Sequence, residues 1–275
     1  MNNRDGYPFA DLSLARRLER AEALSNADFV EGRARAFPDK GATWKEIAGT
    51  YAMYDGRTSP VTQTFGMGMF QPLNERELKA VEQFFLDRGA PICHEVSPHA
   101  DPSVLPLLNE GGYQPIEFTS VMYRPISRES PLSVAVNEEI RVRLTGPAEA
   151  DLWAEVAFQG WSEFGELADF LHDVGRVNAR RENARSFLAI LNGRPIATGL
   201  MNIFDGVALL AGASTIPAGR KQGAQLALLD ERLRYAAQHD CDIAMMCALP
   251  GSASQRNAER HGFRIAYTRI KWQRY

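Results

Sequence analysis

Three cysteines in 275 residues are too few, and of the wrong parity, for a disulfide framework. Cys93, Cys241 and Cys247 are widely spaced and fit no paired-cysteine zinc pattern, so three reduced thiols are expected. The histidines, His94, His99, His172, His239 and His261, make no metal-ligand spacing, and no metal is expected. Long apolar runs are missing too. Nothing is long enough to cross a bilayer, and the opening Met1-Asn2-Asn3-Arg4 is polar, so the expectation is a cytoplasmic protein with no membrane partner. Nor is there an excess of charge: 31 basic residues against 34 acidic ones give −3. A nucleic acid partner is therefore not implied, and any basic surface must be local. The pattern Gly-x-x-x-x-Gly-Lys-Ser/Thr does not occur, which excludes a P-loop nucleotide site.

What is present is a core-forming composition, 45% hydrophobic and 24% charged, on a chain long enough for one large domain or two ordinary ones. The stretch 212–225, Gly-Ala-Ser-Thr-Ile-Pro-Ala-Gly-Arg-Lys-Gln-Gly-Ala-Gln, stands out. An apolar run at 207–211 precedes it, short enough for a buried strand. An amphipathic helix pattern follows it, with Leu226, Leu229, Leu233 and Ala237 on one face. A strand feeding a basic, glycine-bearing loop that opens a helix is suited to phosphate. The first helical N–H groups lack intrahelical partners, and the helix dipole favours an anion there. Arg220 and Lys221 add full charge. The local inference is a phosphate-bearing cofactor.

Taken in order, residues 14–24 read as a helix, and 47–54 and 61–70 as strands between Pro and Gly punctuation. Asn74 caps a helix with Leu78, Val81 and Phe85 inward, ended by Gly89. A strand at 90–96, a short helix after Asp101 and a strand at 116–123 follow. Residues 125–137, rich in Pro and Ser, read as a linker. The second half offers a strand at 140–144, helices near 147–158 and 167–181, and strands on either side of Asn192-Gly193 and Asp205-Gly206, which are hairpin signals. After the loop come a helix at 223–239, a strand at 243–249, a short helix at 254–260 and a last strand at 263–272. Residues 75–124 and 223–272 thus repeat the order helix, strand, short helix, strand. The first copy opens on Phe70-Gln71-Pro72-Leu73, without cations, so the chemistry is expected in the second half.

With these residues in place, the second half resembles the GCN5-related N-acetyltransferases (GNAT). Arg220-Lys221-Gln222-Gly223-Ala224-Gln225 is similar to the family pattern Arg/Gln-x-x-Gly-x-Gly/Ala, with Gln225 departing at the last position. The resemblance implies an α/β (α+β) fold of two GNAT-like mixed-sheet domains flanked by helices. The expected division is a degenerate copy at 1–126, a linker at 127–138 and a complete acetyl-CoA-binding domain at 139–275. It also implies acetyl-CoA as co-substrate. The pyrophosphate would rest on the N–H groups of Lys221, Gln222, Gly223, Ala224, Gln225 and Leu226, and the pantetheine amides would pair with Ala213, Ser214 and Thr215. The implied activity is direct acetyl transfer to a small-molecule or amino-acid-like amine. A non-catalytic acyl-CoA-binding regulatory module is the alternative, and a homodimer is one assembly open to it.

Acetyl transfer needs a positioned amine, a base, an oxyanion donor and an acid for the thiolate. Many family members place a tyrosine five residues before the Phe of the later Gly-Phe pair; here that position is Ala258. Tyr267 on the last strand is the candidate catalytic substitute. Ser254 and Asn257 are candidates for the thiol end or pantetheine arm, set against a helix cap and a surface amide. Glu163, with Glu166 nearby, is the candidate base, its pKa raised by Trp161 and Phe164. Cys247, with no cationic neighbour in sequence, reads as core.

Overall fold

The computed structural model describes residues 6–128, 136–161, 168–178 and 181–274. The described residues form α1 (Leu12–Ala36), β1 (Thr43–Ile47), β2 (Thr50–Tyr54), β3 (Thr64–Phe65), α2 (Glu75–Leu86), β4 (Ile92–Val96), α3 (Val104–Glu110), β5 (Gln114–Pro125) and β6 (Ile140–Leu144). They continue with α4 (Ala150–Gly160), α5 (Ala168–Asn178), β7 (Ala184–Leu191), β8 (Arg194–Phe204), β9 (Val207–Thr215), α6 (Ala224–Gln238), β10 (Ile243–Ala248), α7 (Ala253–Arg260) and β11 (Arg264–Arg274). The mixed α/β class is as expected. The repeat is also there, as α2-β4-α3-β5 and α6-β10-α7-β11. None of the described helices is long and apolar enough to cross a membrane.

The chain forms two compact units, Met1–Arg124 with Met245–Tyr275, and Pro125–Ala244. The expected second domain ran from 139 to the end, but its last helix and strand belong to the first unit. Hydrogen bonding gives the reason. β11 pairs antiparallel with both β4 and β5, with Trp272 opposite His94 and Ile270 opposite Phe118. The order in this unit is β1-β2-β3-β4-β11-β5. Its core gathers Val81, Phe85, Val104, Leu108, Tyr113 and, from β11, Trp272. Two expected strands change form here. Residues 47–54 split into β1 and β2 around Ala48 and Gly49, both at positive φ, 50° and 69°. The 61–70 strand shrinks to β3, because Gly66 and Gly68 turn the chain at φ 70° and 68°. A chain ending at residue 125 or 262 lacks β11 and leaves the facing edges of β4 and β5 unpaired. Such truncations are expected to show no cooperative urea transition and to aggregate. A truncated chain that unfolds with the full-length midpoint would refute this.

In the second unit β9, β8, β7 and β6 form an antiparallel meander in that order. Its tight turns are the expected ones. Asn192 and Gly193 take φ 51° and 75°, and Asp205 and Gly206 take 49° and 72°, the paired positive values of a type I′ hairpin. α4 follows a turn at Pro147–Glu149, and α6 packs against all four strands.

Candidate cofactor-binding site

The site grows from an irregularity in β9. Its register with β8 shifts between Leu200↔Ala211 and Thr198↔Ser214, so Gly212 and Ala213 stand opposite the single Gly199. This is a bulge, and Gly212 takes the φ of 57° that such a bulge asks of a glycine. Ala213 is left exposed and Ser214 buried. Arg232 of α6 answers the disrupted ladder from below. Its Nη1 donates to the carbonyls of Leu200 (3.2 Å) and Ala211 (3.4 Å), and its Nε donates to Leu228 (3.1 Å). Gly199 leaves the room: a Cβ there would lie 3.1 Å from the Arg232 Cζ. Burial pushes the Arg232 pKa down to about 10, which still leaves it charged at neutral pH.

Beyond β9 the chain makes a 3-10 turn, Pro217–Gly219, and enters the basic loop. Lys221 and Gly223 take φ 62° and 89°, folding the loop back so that successive amides run free. Among the described residues, the N–H groups of 221–225 have no acceptor. The Leu226 amide, expected to join them, donates instead to the Gly223 carbonyl at 3.1 Å, because α6 has by then closed its first turn. Arg220, Lys221, Gln222 and Gly223 are exposed, and the first turn of α6 carries no acid. A ring of unused donors, two cations and the helix dipole together favour a phosphate anion.

The corresponding helix of the first unit is closed to one. At the start of α2, Asn74 accepts from the Glu77 amide while Glu77 accepts from the Asn74 amide, and Glu75 adds a second carboxylate. That capping box uses the donors and places negative charge where phosphate would sit.

Gln225, which departs from the family pattern, has a structural role. Its Nε2 donates to the Ser214 carbonyl at 2.9 Å and to the Thr215 hydroxyl at 2.8 Å, tying the loop to the end of β9. The Ser214 hydroxyl is 2.9 Å from that of Thr198 and donates to the Ala157 carbonyl at 3.3 Å, so its side chain is engaged inside the unit. Ala213, Ser214, Thr215, Arg220, Lys221, Gln222, Gly223, Ala224, Gln225 and Leu226 thus form one continuous structure in the second unit.

Glu163, Phe164 and Glu166 fall outside the described residues. Tyr267, Ser254 and Asn257 belong to the first unit. The Tyr267 hydroxyl is buried and donates to Glu19 Oε1 at 2.8 Å, so its proton is committed to a carboxylate. Burial, with the Glu19 charge next, raises its pKa well above the usual phenol value. Ser254 is exposed on α7 and caps nothing; Ser252 is the N-cap, accepting from the Gln255 amide. Asn257 is exposed as well, while Ala258 is buried. The Cys247 thiol, 3.2 Å from Glu22 Oε2, has its pKa raised well above the normal range by burial and then by Glu22, the opposite of an activated thiolate. No group of side chains among the described residues could hold a metal ion.

Buried groups of the first unit shape its response to acid, and burial raises Glu95 as it raises Glu19. His94 is fully buried, 2.9 Å from the Thr64 hydroxyl, and desolvation pushes its pKa from 6.5 down to about 3. Burial raises Glu19 to about 6. Between pH 6.5 and 3 the unfolded chain binds a proton at His94 that the folded chain refuses, so stability falls with falling pH. Between about 6 and 4.5 Glu19 acts the other way, taking up a proton in the folded state first. Glu19→Gln is therefore expected to lose stability with falling pH more steeply than the wild type across pH 6 to 4.5, by up to about 1.4 kcal/mol per pH unit. A variant slope no steeper than that of the wild type, by urea denaturation, would refute the raised Glu19 pKa.

Residues 149–263 match the model of the acetyltransferase (GNAT) family. Residues 149–263 therefore carry a GNAT domain. Solved GNAT structures share its fold. A GCN5-related N-acetyltransferase from Kribbella flavida is 15% identical, covers 91% of this chain and 94% of its own, and gives a TM-score of 0.64. A second one, from Sphaerobacter thermophilus, is 16% identical over 85% of this chain and 75% of its own, at 0.55. A tandem GNAT protein from the clavulanic acid biosynthesis pathway is 13% identical over 83% of this chain and 78% of its own, at 0.60. No curated protein matches this chain by sequence.

The GNAT motif was readable from sequence, whereas Gly212 read only as the start of the 212–225 stretch and Arg232 was not singled out at all. A faint signal existed in the two glycines, Gly199 and Gly212, on adjacent strands. A second lay in the arginine flanked by Leu229 and Leu233 on the helix's apolar side.

Proposed function

We propose that this GNAT protein is an acetyl-CoA-dependent N-acetyltransferase that moves the acetyl group directly to an amine of a small or amino-acid-like molecule. The observation that supports it most is the set of open amides at 221–225, beside two exposed cations, inside a family domain. Acetyl-CoA supplies the thioester that activates the acetyl carbon.

The chain's own contribution is chiefly to bind and orient. The 221–225 amides with Arg220 and Lys221 hold the pyrophosphate. The backbone at Ala213, Ser214 and Thr215 guides the pantetheine arm, and the Gln225 bridge keeps that strand end in place. An N–H near Thr215 stabilises the oxyanion, and Glu163 takes the ammonium proton. As the amine nitrogen bonds to the carbonyl carbon, the carbon–sulfur bond breaks and the thiolate leaves to be protonated. Tyr267 is given no step, because its hydroxyl donates its hydrogen bond to Glu19 and holds its proton tightly. Ser254 and Asn257, both exposed on α7, carry no step in this reading. A reduced cytoplasmic setting goes with this reading.

The test is to supply acetyl-CoA with a panel of small primary amines and amino acids and to follow free thiol. Acceptor-dependent thiol release supports the enzyme. Saturable acetyl-CoA binding without thiol release across the panel would refute it in favour of a binding module.

A further inference from the structure

A cavity of about 260 Å³ opens in the second unit, away from the loop. It is lined by the start of β7, the end of β6, the end of α5 and the last turns of α6. β7 and β9 both run antiparallel to β8, so they are parallel to each other, and Ala184 and Leu209 share the partner Asn202. Thr215, where the loop begins, is six residues beyond Leu209 along β9, on the order of 20 Å of strand. Cavity and loop are therefore separate places.

The chemistry of the lining is one-sided. Arg185 Nη1 donates to the backbone carbonyls of Glu182 and Ala184, at 3.1 and 3.0 Å, and its Nε donates to the Tyr235 hydroxyl at 3.3 Å. All three acceptors are neutral, and Nη2 has no partner among the described residues. The Tyr235 oxygen accepts that bond, which leaves its own proton to donate. Asn178 is 5% exposed. Its Oδ1 accepts from Arg181 Nη1 at 3.2 Å, while its Nδ2 is buried and unpaired. No carboxylate is among the described residues lining the cavity.

A buried amide donor without an acceptor is costly, and a guanidinium facing only neutral groups is incompletely matched. Beside these donors, Leu144, Pro147, Ala150 and Trp153 supply an apolar part of the wall, and Thr145 and Ser186 line it too. Trp153 is held with its Nε1 on the Phe187 carbonyl at 3.1 Å, so it offers the cavity only its ring.

We propose that this cavity is a second ligand site of the protein, taking a small monocarboxylate with an apolar or aromatic body. The carboxylate lies against Arg185, Tyr235 and Asn178, and the body lies against Trp153. The planar guanidinium fork suits a carboxylate, and the small volume admits a compact acid.

Benzoate is the probe, titrated calorimetrically into the full chain beside benzamide and inorganic phosphate. Saturable one-to-one benzoate binding is expected, with benzamide and phosphate at least tenfold weaker. Arg185→Met should weaken benzoate at least tenfold. Asn178→Asp, nearly isosteric and placed beside Arg181, should do the same while keeping the fold. Gly223→Asp, in the loop, should leave benzoate binding unchanged. The proposal is overturned if benzoate does not bind, or if benzamide or phosphate binds as well. It is equally overturned if the two cavity variants keep wild-type affinity, or if Gly223→Asp abolishes benzoate binding.

Discussion

Gly223→Asp is expected to abolish measurable acetyl-CoA binding while the domain stays folded. Gly223 sits at φ 89° immediately before α6, in the middle of the five open amides. A carboxylate attached there competes for those amides and faces any incoming pyrophosphate. Two unit charges about 4 Å apart near a protein surface repel by about 4 kcal/mol, and each 1.4 kcal/mol is about tenfold in affinity. A loss beyond about 100-fold follows, even after salt screening. The side chain has room: its Cβ would be 3.5 Å from that of Asn137, an ordinary contact. Aspartate also tolerates the left-handed backbone better than most residues, so the stability cost is about 1 kcal/mol.

Gly223→Ala separates charge from backbone. It pays the same conformational cost without the carboxylate, and it should retain acetyl-CoA binding within about tenfold. Calorimetry on both variants, with urea denaturation as the control for folding, decides the matter. Wild-type affinity in Gly223→Asp would remove the loop from the cofactor site, and equal loss in both variants would assign the effect to strain.

The loop was legible in the sequence because its signal is local: glycine, cations and a helix start lie within a few residues of one another. The hairpins were legible for the same reason, since Asn192-Gly193 and Asp205-Gly206 carry their turn chemistry in two residues. Long-range pairing was not. The last strand reads as the natural continuation of the second copy, and no local feature of residues 264–274 says that their partners are β4 and β5. Ala48 hid a turn, because alanine is a poor advertisement for the positive φ of 50° that it adopts. Tyr267 looked like an available phenol. Glu19, which accepts its hydrogen bond, is 248 residues away in sequence, and burial of that pair exists only once the chain has folded. Gln225 looked like a flaw in the motif and is instead a bridge to Ser214 and Thr215, which only the three-dimensional return of the loop makes visible.

Arg232→Met should be the most destabilising single change in the second unit for its size. The side chain is 4% exposed, and three of its hydrogen bonds end on backbone carbonyls, two of them flanking the β9 bulge. Methionine fills much of the same space, so packing changes little, but the Leu200 and Ala211 carbonyls lose the Arg232 donor. Hydrogen bonds to a charged group contribute about 1.5–3 kcal/mol each, and a carbonyl left buried and unpaired costs a similar amount. These terms are not additive, so a loss of about 3 kcal/mol is expected from the urea midpoint. Affinity should respond as well. The bulge sets the path of Ala213, Ser214 and Thr215, so a folded Arg232→Met protein should bind acetyl-CoA several-fold more weakly. Arg232→Lys keeps a charge but not the fork that spans two carbonyls, and it should fall between the two. A methionine variant within about 0.5 kcal/mol of wild type would mean that the carbonyls find other donors and that the bulge holds its own shape. In that case the geometry of 213–215 is written in Gly199 and Gly212 alone, and Gly212→Ala, forced to hold φ near 57°, becomes the variant that must lose binding.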